Sequence, residues 1–115
     1  MKNSISLKKN SDFKNVYNNG KSLANKYLVM YILENGLKEN RLGISVSKKV
    51  GNSVIRHHLT RLIRESYRVE EDRFCIGYDI VVIARIPSKN SSFFDIKKSL
   101  LHLSGLHGIF REVEQ

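Results

Sequence analysis

Residues 53–68 constrain the fold more than any other stretch of this chain. Ile55, Leu59, Leu62, Ile63, Ser66 and Tyr67 recur at i, i+4, i+7 and i+8, the spacing of one helical face. Asn52 stands where an N-cap is needed. On a wheel of ~100° per residue, His57, Arg61, Arg64 and Arg68 form a row opposite that stripe, with no carboxylate among them. Arg56 and Thr60 lie on one border and His58 and Glu65 on the other. A helix of this kind must lay its apolar face on a sheet or another helix. It also leaves like charges side by side, which costs a few tenths of a kcal/mol in isolation. The arrangement makes sense where an anion lies along that face. Arginine suits phosphate, because its planar fork can bond two oxygens at once.

The segments around this helix set the fold class. Residues 9–19 read as a short helix, capped by Asn10 or Ser11, with Phe13, Val16 and Tyr17 at helical spacing and Gly20 at its end. Residues 26–34 are rich in strand formers. Asn35-Gly36 is a turn signal. Residues 41–47 alternate: Leu42, Ile44 and Val46 face a core, and Gly43, Ser45 and Ser47 face the other way. Lys48-Lys49-Val50-Gly51 makes a basic turn. Residues 78–86 are almost continuously apolar, as in a central strand with a parallel neighbour. A last helix is expected over about 92–104, with Phe93, Ile96, Leu100 and Leu103 inward. The reading is α+β, one domain over residues 1–115, with about four strands and three helices in the order α-β-β-β-α-β-α.

Charge narrows the partner. The net charge is +9, and 14 of the 20 Lys and Arg residues precede Val69 with only four of the 11 carboxylates. That part therefore stands at +10 and the remainder at −1. A positive field so concentrated attracts polyanions by releasing their counterions. Nucleic acid is the first candidate and an anionic membrane the second. No apolar run approaches the ~20 residues needed to span a bilayer. Met1–Asn10 is polar and basic with no apolar stretch behind it, so no signal peptide is expected. The one cysteine, Cys75, reads as a small buried core residue in a reducing cytosol.

Phe13 and Tyr17 are four residues apart and share a helical face, and Tyr31 could join them from the following strand. From the pattern alone these rings read as core. The competing reading is a platform for unpaired bases, each worth about 1–3 kcal/mol, with Gly43, Ser45 and Ser47 as the floor of a groove.

The run Gly43-Ile44-Ser45-Val46-Ser47-Lys48-Lys49-Val50-Gly51-Asn52-Ser53-Val54-Ile55-Arg56, continuing to Arg61-Leu62-Ile63-Arg64-Glu65, resembles the signature of the bacterial ribonuclease P protein family. Leu7-Lys8-Lys9-Asn10-Ser11-Asp12-Phe13 through Tyr17, Gly20-Lys21-Ser22, and Tyr78-Asp79-Ile80-Val81-Val82-Ile83-Ala84-Arg85 resemble it in the same order. The resemblance implies a left-handed βαβ crossover through the basic helix, against the usual right-handed rule. It implies an accessory subunit of an endoribonuclease that trims the 5′ leader from precursor tRNA. Catalysis would lie in the RNA subunit with its own Mg²⁺, and the protein would have no active site, dedicated metal site or obligate protein partner. It also implies a cytoplasmic location. By position, the single-stranded leader would lie on Phe13, Tyr17 and Tyr31, with Ser45 and Lys49 nearby, which reverses the pattern-only reading of the rings. The catalytic RNA would meet Lys48, Asn52, Arg56, His57, His58, Arg61, Arg64 and Arg68.

One stretch departs from the family pattern of Arg-Asn-Arg, a hydrophobic residue and Lys-Arg. Here Arg56-His57-His58-Leu59-Thr60-Arg61 loses two constitutive positive charges. Histidine as a residue type carries only part of a charge near neutrality, so weaker and more pH-dependent docking is expected. A salt dependence that does not change with pH would contradict this. Protein-borne nuclease chemistry needs acid–base groups or clustered carboxylates. The carboxylates here are scattered, the run Glu70-Glu71-Asp72 reads as a solvated loop, and neighbours such as His57 and His58 point ~100° apart on a helix. His102 and His107 read as incidental.

Overall fold

The structure is a computed structural model that describes residues 4–111, so Met1–Asn3 of the polar N-terminal segment lie outside it. The expected elements are present, with one strand more. Their order is β1 (Ser4–Ser6), α1 (Asn10–Asn19), β2 (Lys21–Ala24), β3 (Leu28–Glu34), β4 (Asn40–Ser45), α2 (Ser53–Glu70), β5 (Tyr78–Ala84) and α3 (Phe93–Leu106). Short 3-10 turns follow α2 and β5 at Glu71–Arg73 and Ile86–Asn90. The strands form one mixed sheet in the order β1-β4-β5-β3-β2. β4 lies parallel to both β1 and β5, and β3 is antiparallel to β5 and β2. The continuous apolar run of β5 therefore marks its place: it is central, with a parallel neighbour reached through α2.

The added strand is β1, which makes five strands where about four were expected. Ser4–Ser6 is too short and too polar to show a period of two. It is held by pairing Ser4, Ile5 and Ser6 with Asn40, Arg41 and Leu42. The Ser4 hydroxyl also lies 2.6 Å from the buried Tyr67 hydroxyl. β2 is exposed at all four positions, so no burial pattern announced it.

The sheet is covered on both faces. On one face Leu28, Met30, Leu42, Ile80 and Val82 meet Leu59, Ile63 and Tyr67 of α2 and Ile96, Leu100 and Leu103 of α3. On the other, Val81 meets Val16 of α1 and Leu7, with Phe13, Tyr31, Leu33 and Ile83 packed around them. The α2 stripe is thus the core side of that helix, with Ile55 and Leu62 half-buried at its margin. Asn52 caps α2 as expected, its side chain accepting from the Ile55 N–H at 3.0 Å, a cap worth about 1 kcal/mol. α3 opens on a full capping box between Ser92 and Asp95.

Three local expectations are corrected. Lys9, not Asn10 or Ser11, occupies the cap of α1 and offers no side-chain bond, because α1 starts at Asn10 and carries both Asn10 and Ser11 into its first turn. Glu70-Glu71-Asp72 is not a solvated loop: Glu71 is buried, and Glu70 bridges Arg73 and Lys97 at 3.3 and 3.0 Å. Cys75 is half-buried rather than buried, since its segment lies at the sheet margin against Ile109, whose carbonyl accepts from the Cys75 N–H.

Candidate nucleic-acid interface

α1 carries the rings to the sheet. Val16 anchors the helix, fully buried. Phe13 lies over Gly43: a Cβ there would come 2.7 Å from two of its ring carbons. The glycine on the α1 face of β4 is what lets the ring approach the sheet this closely. Tyr17 follows at 6.3 Å between ring centroids and meets Tyr31 edge-on at 5.1 Å. Tyr17 remains 38% exposed, so its ring offers a free surface. Burial pushes its phenol above the ordinary range, hydrogen bonding with Ser45 pulls part of that back, and Tyr31 adds a little upward.

These groups wall a groove of about 400 Å³ lined by Asn10, Phe13, Lys14, Tyr17, Ile44 and Ser45. Of the expected cleft residues, Phe13, Tyr17 and Ser45 line it, and Tyr31 supports it through Tyr17. Lys49 does not line it; it sits exposed in the turn after β4. Asn10, Lys14 and Ile44 were not anticipated. Asn10, Phe13, Lys14 and Tyr17 share the i, i+3, i+4, i+7 face, so helical spacing was a sufficient signal for the first two.

Arg41 ties α1 to the sheet beneath, held on its inner side by the buried Asp79. Arg41 Nε and Nη2 donate to Asp79 Oδ1 and Oδ2 at 2.7 and 2.6 Å across the β4–β5 pair. Asn35 donates to the same Oδ1 at 3.0 Å. Asp79 is 1% exposed, so removing Arg41 would leave a buried charge unpaired. On its outer side Arg41 reaches Asp12 of α1 at 3.6 Å. Hydrogen bonding to Asp79 leads the upward shift of the Arg41 pKa.

On the opposite side of the molecule, α2 turns His57, His58, Arg61 and Arg64 to solvent. Arg61 and Arg64 have no hydrogen-bond or ion-pair partner among the described residues. Arg56 is half-buried, and its Nε is buried without a hydrogen-bond partner. Arg68 corrects the expectation of a wholly unneutralised row. Its Nε and Nη2 donate to Glu65 at 2.9 and 2.5 Å, because Glu65 stands one turn before it. That bonding lowers the Glu65 pKa and raises that of Arg68. Lys48 is exposed beside Lys49, and Asn52 is exposed with its side-chain oxygen committed to the cap.

The chain can thus present cations to a polyanion on one side and a ring-walled groove on the other. A family model described as Ribonuclease P matches residues 1–106. The chain belongs to the ribonuclease P protein family. Within that family it is 57% identical over 111 residues to the ribonuclease P protein component of Lachnoclostridium phytofermentans, covering 96% of each chain. The solved RNase P protein of Staphylococcus aureus superposes with a TM-score of 0.85 at 41% identity, over 92% of this chain and 97% of that one. A mutant of the S. aureus protein, described as having defective mRNA degradation activity, gives 0.85 at 40%, over 91% and 89%.

Proposed function

We propose that this family member is the accessory protein subunit of ribonuclease P. In this reading it binds the catalytic RNA and the single-stranded 5′ leader of precursor tRNA and assists removal of that leader. The observation that carries the reading is the pairing, in one small domain, of unpaired Arg61 and Arg64 on α2 with the groove between α1 and the sheet. The cations neutralise phosphate where the folded RNA packs. The half-buried Arg56 and the Lys48-Lys49 turn extend that surface, while His57 and His58 line it with less constitutive charge. In the groove, bases stack on Phe13 and Tyr17, with Gly43 seating the Phe13 ring on the sheet, and Ser45 and Lys14 supply polar contacts. RNA with its own Mg²⁺ performs the hydrolysis in the cytoplasm. The protein lowers phosphate repulsion and holds the leader, and it requires no second protein. No described helix is long and apolar enough to cross a membrane.

The likeness to the S. aureus protein whose mutant is described as defective in mRNA degradation favours one second reading, that the chain cuts RNA unaided. Among the described residues no three His, Cys, Asp or Glu side chains gather to hold a metal ion, so such cleavage would rest on other groups. One experiment separates the readings: the protein is mixed with precursor tRNA at low Mg²⁺, with and without ribonuclease P RNA. An accessory subunit stimulates leader removal only when that RNA is present. A nuclease cuts without it, and failure to do either overturns both.

A further inference from the structure

A second concave site lies away from the groove and the α2 cations, where the β2–β3 turn meets α3. It measures about 410 Å³, and Asn25, Lys26, Tyr27, Asp95, Lys98 and His102 line it. Asn25 builds it. The Asn25 Oδ1 accepts from the backbone N–H groups of Tyr27 and Leu28 at 3.2 and 3.0 Å. That fixes the amide so that Nδ2 donates, to the Ser99 carbonyl at 3.0 Å and toward His102 Nδ1 at 3.3 Å. His102 Nδ1 must then accept, which assigns the proton to Nε2 and leaves an N–H donor free.

Lys26 and Lys98 are exposed and have no carboxylate partner among the described residues. The Lys26 Nζ stands 5.2 Å from the Tyr27 ring centroid. The one carboxylate present, Asp95, is occupied by the cap of α3, accepting from Ser92 N at 3.1 Å. Arg85 Nη1 braces the turn by donating to the Asn25 carbonyl at 2.5 Å. Two ammonium groups without carboxylate partners among the described residues, an imidazole N–H and a half-buried aromatic ring are donors and a platform suited to one phosphate and its neighbouring base.

The site lies on the α3 side of the sheet and the groove on the α1 side, and the strand row between them ends at the β2 edge, round which an RNA strand would pass. Ser45 pairs with Ile83, Ile83 with Val29, and Val29 with Ala24, one unbroken row across four strands. The row is three strand spacings of about 4.8 Å, roughly 14 Å in all, and it ends at the residue before Asn25.

We propose that the pocket between the β2–β3 turn and α3 is a second nucleic-acid site, which binds a phosphodiester of single-stranded RNA through Lys26, Lys98 and His102 Nε2. The proposal rests on the RNA-binding reading above. The phosphodiester could belong to leader upstream of the groove or to the RNA subunit, and the test separates these sources.

The Lys26→Ala/Lys98→Ala double variant, its Lys→Arg counterpart and Tyr17→Ala are each assembled with the RNA subunit. Precursor affinity is measured with a leader just long enough to fill the groove and with one several nucleotides longer. Loss of two phosphate contacts is expected to weaken binding of the longer leader by about tenfold, leave the shorter one unchanged, and be rescued by arginine. That outcome supports the site and assigns it to the leader. An equal fall in RNA-subunit affinity, whatever the leader, supports the site and assigns it to that subunit. With the intact free chain, the His102 and Asn25 side-chain NMR signals should move on adding oligouridylate. Unchanged affinities and unmoved signals, with Tyr17→Ala still impaired, overturn the site alone. If Tyr17→Ala is also without effect, the leader-binding reading falls with it.

Discussion

Gly43 and Phe13 are thirty residues apart in sequence and in contact in the fold, and the groove depends on that contact. Gly43→Ala places a methyl group where two carbons of the Phe13 ring now lie. Overpacking of this kind costs about 1–3 kcal/mol, and the ring must lift into the groove. The expected outcome is a lower denaturation midpoint together with weaker binding of a short single-stranded oligonucleotide. A variant with wild-type values for both would show that the ring has room to spare. The alternation of residues 41–47 put Gly43 and Ser45 on the groove face, but nothing local revealed which ring would arrive there. The altered stretch His57-His58-Leu59-Thr60 belongs to the same scale. His58→Arg with Thr60→Lys supplies two constitutive charges at the α2 surface. Affinity for ribonuclease P RNA should rise, and the slope of log affinity against log salt should steepen by about 1–2. An unchanged slope would mean that these positions do not face phosphate.

Within α2, the apolar stripe was readable because one periodicity decides which side is buried. The pairing of Arg68 was not, because a wheel puts Glu65 on a border and cannot tell which neighbour it will choose. The pairing makes the row unequal. Arg64→Ala should weaken RNA-subunit binding more than Arg68→Ala, and Glu65→Gln should strengthen it by releasing Arg68. Filter binding at several salt concentrations checks the order. The inner side of α2 carries a different dependence. The Tyr67 hydroxyl lies against Ser4 Oγ and accepts from Asn40 Nδ2 at 3.2 Å. That short network explains why so slight a strand as β1 holds its place. Burial raises the Tyr67 pKa above 10.0, with the hydrogen bonds from Ser4 and Asn40 opposing it. The neutral phenol is therefore the form the fold favours. Its contribution is complete below the unfolded-state value and is lost as pH rises through the higher folded-state value. Tyr67→Phe should cost about 1–3 kcal/mol at neutral pH through the hydroxyl partners left behind. Its stability should then fall less steeply than that of wild type above about pH 10. Parallel curves from urea unfolding across that range would contradict the assignment.

At the scale of the whole molecule, the helices and the strands β3, β4 and β5 could be read from the sequence pattern, but β1, β2 and the layering could not. A strand buried on both faces, as β5 is, requires cover on both sides, yet the sequence does not say which helix covers which. The structure puts α1 alone on one face and α2 with α3 on the other, so the groove and the cations are separated by the sheet and its main core. Sites without shared partners act independently, with effects adding to within about 0.3–0.5 kcal/mol. The test is a double-mutant cycle on precursor affinity with the RNA subunit in excess, using Tyr17→Ala in the groove and Arg64→Ala on α2. Tyr17→Ala should cost about 1–3 kcal/mol through one lost stacking platform. Arg64→Ala should act mainly on assembly, and the double variant should equal the two together. A coupling clearly beyond that range would mean that the two faces are not independent: either one RNA element wraps the sheet edge to touch both, or α1 and α2 move as a unit. In either case the sheet would be transmitting between its faces rather than separating them.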